Sequence, residues 1–103
     1  MKEIVYFRII DYGNRIRVRF YTIKGKVTKF LIQYETMIDD KWHPVTRYDT
    51  VHNRVHRDIL FHNGTKVKEF YEFKELGSAL TFALDDLIRN WEIYFQQYLK
   101  RRQ

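Results

Sequence analysis

A chain of 103 residues has room for one modest core, and 45% hydrophobic content with 17% aromatics is unlike the composition of disorder. The absence of cysteine excludes disulfides, thiolate nucleophiles and zinc-finger sites. A formal net charge of +6 favours polyanions, either nucleic acid or an acidic protein partner.

The N-terminal run IVYFRII, residues 4–10, is β-branched and aromatic and stops at the turn signal Asp11-Tyr12-Gly13-Asn14. Arg8 breaks it, no small-residue cleavage site follows, and no apolar stretch approaches the roughly 20 residues of a membrane span. The chain therefore reads as soluble and cytoplasmic. Residues 15–23, RIRVRFYTI, alternate: Arg15, Arg17, Arg19 and Tyr21 on one face, Ile16, Val18, Phe20 and Thr22 on the other. The basic row serves as the solvent face of a strand or as a phosphate track, with Tyr21 and Tyr12 as stacking rings.

After the turn Lys24-Gly25-Lys26, the strand at 27–38 puts Phe30, Ile32, Tyr34 and Ile38 inward. Asp39-Asp40-Lys41 turns into 42–49, where Pro44 predicts an edge strand or a strand starting beyond it. A polar loop then leads into RDILF at 57–61, the hairpin signal Asn63-Gly64 and a last strand through KVKEFYEF. From residue 75 the period changes. Leu80, Leu84, Leu87, Trp91, Tyr94 and Tyr98 recur at helical spacing and predict one amphipathic helix over 75–102, about 40 Å long. The heptad-like spacing has a second reading, a helix pairing with its own copy in a homodimer. The whole is a single α+β domain: a curved antiparallel meander of five to six strands, 1–74, on one long C-terminal helix.

One run concentrates titratable groups: RYDTVHNRVHRD, residues 47–58. Alternation from residue 56 puts His56 and Asp58 on one strand face, with His52 in the preceding loop. Metal-independent RNA cleavage needs a base, an acid and a cation on the phosphorane; His52 and His56, with Asp58 orienting an imidazole, meet that need. Arg47, Arg54 and Arg57 would hold phosphate. A zinc site on His52 and His56, flanked by Asp49 and Asp58, is the competing chemistry, disfavoured by the strand-rich surroundings and three arginines. The bland alternative is a solvated polar connection. Asp85-Asp86, His43 and His62 read as surface.

Arg47-Tyr48-Asp49, His52, His56-Arg57-Asp58, Asn63-Gly64 and Asn90-Trp91 with Tyr94 together resemble the TumE-like toxins of toxin–antitoxin systems and their small prokaryotic relatives, over roughly residues 40–98. That resemblance implies a compact sheet-and-helix ribonuclease without cofactor, acting on RNA and restrained by an acidic antitoxin. It makes His52 and His56 the acid–base residues and Arg47 or Arg57 the phosphate stabiliser. The relatives carry more histidine where this chain has Asn53-Arg54-Val55. A non-catalytic basic module, binding nucleic acid or an acidic protein, is the alternative from another class.

Overall fold

Alternation decides the layout. In β2 (Asn14–Ile23) Ile16 and Val18 are fully buried, while Arg17 and Arg19 stand exposed on the opposite face. The computed structural model, which describes residues 1–102, carries this two-sided pattern across six strands. They are β1 (Lys2–Asp11), β2, β3 (Lys26–Ile38), β4 (Lys41–Val51), β5 (Arg54–Leu60) and β6 (Lys66–Tyr71). Each pairs antiparallel with the next, so order in the open sheet is order in the chain. The helix α1 (Leu76–Arg102) then crosses one face, mostly over β3. The fold is the expected α+β meander.

The helix-side core joins Ile16, Val18, Phe30, Ile32, Tyr34, Tyr48 and Val55 to Ala79, Ala83, Leu87 and Tyr98. Ala79 and Ala83 have little side chain, which lets the helix backbone come down close to the sheet. Trp91 meets Tyr34 edge-on, with ring centroids 6.1 Å apart. Burial on α1 runs from Ala79 to Tyr98, and Arg101 Nε donates to the Leu60 carbonyl at 3.2 Å. Both ends of the helix are thus tied to the sheet.

Three of the turns share one geometry. Lys24-Gly25, Asp39-Asp40 and His52-Asn53 are two-residue connections in which both residues have positive φ, between 51° and 79°. That is the turn whose twist suits a tight hairpin. The third corrects the sequence reading: residues 47–58 are not a loop but two paired strands joined at His52-Asn53. Asn63-Gly64 does mark a hairpin, though a longer one spanning 61–65, where only Gly64 takes positive φ. Pro44 is also placed differently. It sits in an interior strand, at a register shift where Glu35 faces Pro44 and Tyr34 faces Thr46. The bulge accommodates the missing donor.

Candidate nucleic-acid interface

The face away from the helix would ordinarily be a plain solvated surface, yet it buries charge. Glu35 on β3 is 3% exposed and Asp58 on β5 is 1% exposed. A buried carboxylate needs donors. Glu35 has three: Arg15 Nε at 2.7 Å, Arg17 Nε at 2.9 Å and Gln33 Nε2 at 2.5 Å. Burial pushes its carboxyl upward, but donation from Arg17, Arg15 and Gln33 outweighs burial and holds it below the ordinary value. Gln33 passes the network on by accepting from Arg47 Nε at 2.6 Å. Arg47 Nη1 then approaches Asp58 Oδ2 at 3.8 Å, and Lys66 Nζ approaches the same oxygen at 3.6 Å. A chain of polar contacts therefore crosses β2 to β6.

Aromatic rings brace the arginines. The Arg15 guanidinium lies between Phe7 and Trp42, 4.2 and 3.9 Å from the ring centroids, and Arg17 lies 4.9 Å from Phe7. Arg54 stacks on Phe70 at 4.6 Å and Lys29 on Tyr21 at 4.3 Å. Such contacts fix the direction of the cationic heads without neutralising them. The side chains of Arg17 and Arg19 remain 44% and 53% exposed, with Arg17 on Glu35 and Arg19 Nε 3.7 Å from Glu3 Oε2. Two hollows adjoin here, sharing Arg19 and Leu31. One, about 270 Å³, is lined by Val5, Arg17 and Gln33; the other, about 200 Å³, by Tyr21, Lys29 and Asp49.

The ten residues singled out in the sequence divide. Arg15, Arg17, Arg19, Tyr21, Arg47, Arg54, His56 and Asp58 all lie on this face. Arg57 does not: it turns to the helix side, 4.9 Å from the Tyr94 ring and 3.3 Å from Glu69. Alternation along β5 forces this, since Arg57 lies between His56 and Asp58. His52 caps the β4–β5 turn in solvent. His56 is sealed, its side chain 3% exposed, with Nε2 3.7 Å from Asp58 Oδ1. The convergence of His52 and His56 on a shared phosphodiester is therefore corrected: one imidazole is in water and the other under the sheet surface. Nor is the zinc alternative assembled, because among the described residues no three His, Asp or Glu side chains gather for a metal.

Sequence reasoning missed Glu35 and Gln33, which organise the arginines, and Lys29, which flanks the hollow. It also placed Asp86 on the surface. Asp86 instead accepts from Tyr48 at 2.7 Å, Tyr94 at 2.6 Å and Asn90 at 2.8 Å. Burial first, and then the Asp86 charge, push both phenols up, so they remain donors. Asn90, Trp91 and Tyr94, quoted for the toxin resemblance, thus have structural work in the helix–sheet seam.

A family match covers residues 1–103, the whole chain. The chain belongs to the family described as a domain of unknown function, DUF7718. No curated protein and no solved structure matches it. The DUF7718 description states no activity or partner and makes no link to TumE-like toxins.

Proposed function

We propose that this DUF7718 chain is a non-catalytic RNA-binding module that lays a single strand across the sheet face opposite α1. The observation that carries this reading is the pair of partly exposed side chains of Arg17 and Arg19, with Lys29, flanking two joined hollows. Guanidinium forks take phosphate oxygens, and the partly exposed Tyr21 ring, with Lys29 4.3 Å from its centroid, is the plane on which a base would stack. A sheet face is too broad for a duplex groove but suits unstacked bases. Of the toxin-like expectation this proposal keeps only RNA engagement. The ribonuclease part is not proposed, because a base or acid must reach its proton within hydrogen-bond distance and His56 is shut away.

The test is fluorescence anisotropy of a short labelled oligouridine against rising KCl, with the triple variant Arg17→Gln, Arg19→Gln, Lys29→Gln beside the parent. Each lost phosphate contact lowers the slope of log K against log salt by about 0.7 for a single strand. The triple variant should therefore lose about 2 units of slope, while His52→Ala binds like the parent and leaves the RNA intact. Unchanged slope in the triple variant contradicts the proposal. So does RNA cleavage in chelator that His52→Ala abolishes.

A further inference from the structure

The two edges of the sheet are built differently. β6 is six residues long and carries Lys66 and Lys68, a short charged edge of the kind that discourages pairing. β1 is ten residues long and pairs only with β2, so its outer backbone groups face solvent. Its side chains are apolar on both faces and lie open: Val5 is 51% exposed, Tyr6 41%, Phe7 42% and Ile9 64%. Long, apolar and uncovered, β1 is protected only by Arg8, its terminal charges and the irregularity between Ile9 and Asp11 at the turn end of the strand.

We infer that β1 pairs with β1 of a second copy, antiparallel across a two-fold axis normal to the sheet, giving a twelve-stranded sheet. Three observations favour a second copy as the occupant. Lys2, Glu3, Arg8 and Asp11 cancel, so this strand is locally neutral in a chain of net charge +6 and does not repel its own copy. Such a two-fold keeps corresponding faces together, so residues of equal parity oppose each other. With Phe7 at the axis, Val5 faces Ile9 and Ile4 faces Ile10, apolar against apolar, and Tyr6 faces Arg8. Asp11, opposite Glu3 in that register, is engaged by Gly13 and Asn14 in its own turn. The third is continuity with the basic face. Both copies would present it on the same side, their β2 arginine rows three strand spacings apart, about 14 Å. The strip between them, made of Phe7, Val5 and Ile9 from both copies, would join the two RNA tracks. That last consequence rests on the RNA reading; the pairing itself does not.

Sedimentation velocity through the micromolar range, without RNA, tests it. The parent should approach twice 12.8 kDa. Ile9→Lys should raise the dimer Kd at least ten-fold while its protomer stays folded, the side chain being 64% exposed in the single chain. Val67→Lys on β6 and Ile93→Lys on α1, at sites 52% and 56% exposed, should leave the dimer intact. In this cysteine-free chain, Phe7→Cys should oxidise to a symmetric disulfide and Val67→Cys should not. A monomeric parent overturns the inference, as does a dimer lost in Ile93→Lys but kept in Ile9→Lys. Oligouridine binding is measured separately on Ile9→Lys: retained binding by a monomer leaves the RNA reading standing whatever becomes of the dimer, and RNA failure leaves the dimer standing.

Discussion

Replacing Glu35 with alanine removes the acceptor that organises the far face. Three donors lose their partner at once: Arg15, Arg17 and Gln33. Hydrogen bonds to a charged group contribute about 1.5–3 kcal/mol each, and breaking a buried pair typically costs about 3–5 kcal/mol. The lower end applies here. Arg17 already reaches solvent at 44% exposure, and Arg15 keeps its stacking between Phe7 and Trp42. A loss of about 3 kcal/mol follows, or a fall in Tm of about 12 °C for a domain of this size. The pH dependence carries a definite sign. Because the folded carboxyl is held below its ordinary value of 4.5, its contribution is present above that value and fades as acid protonates the folded form. Thermal melts followed by circular dichroism should therefore separate parent from Glu35→Ala widely near pH ~7 and much less near pH ~3. Equal melting at neutral pH would refute the claim that Glu35 anchors the face. A gap that persists unchanged into acid would refute its electrostatic origin.

Two further substitutions test the scaffold. Asp40→Gly, at a turn position with φ of 64°, should stabilise the fold by about 0.5–1 kcal/mol in urea unfolding, because glycine adopts that conformation without strain; a destabilised variant would contradict the turn geometry. Asp86→Ala strips the acceptor from Tyr48, Tyr94 and Asn90 in the helix–sheet seam and should cost about 2–3 kcal/mol, whereas Asp86→Asn, which keeps an oxygen, should cost less. Equal losses in the two variants would mean that the seam depends on shape and not on these hydrogen bonds.

Periodicity made most of the fold legible. The strict alternation of RIRVRFYTI placed the arginines and the core residues of β2 correctly, and the 4-3-4 spacing from Leu80 to Tyr98 located α1 to within a residue at its start. What it could not reveal depends on contacts remote in sequence. His52-Asn53 carries no glycine, so a two-residue turn was hidden inside a charged run that resembled a loop. Pro44 argued for an edge, and only the bulge opposite Glu35 explains its interior place. At the candidate site, alternation put His56 beside Asp58 correctly but said nothing about depth. Their burial arises from the long side chains and rings of neighbouring strands. Glu35 gave no local signal either, since its two arginine partners lie 18 and 20 residues away. Asp86 looked like surface because its helical neighbour Asp85 is surface, pairing with Arg89 at 2.9 Å.

The most direct test of RNA binding on the face opposite α1 is a chemical-shift titration of the isotope-labelled protein with a short oligouridine. Amides of Arg17, Arg19, Tyr21, Lys29 and Leu31 should move together and saturate, with α1 and the His52-Asn53 turn unmoved. Shifts confined to α1 or to that turn, or none at millimolar RNA, would contradict binding at this face.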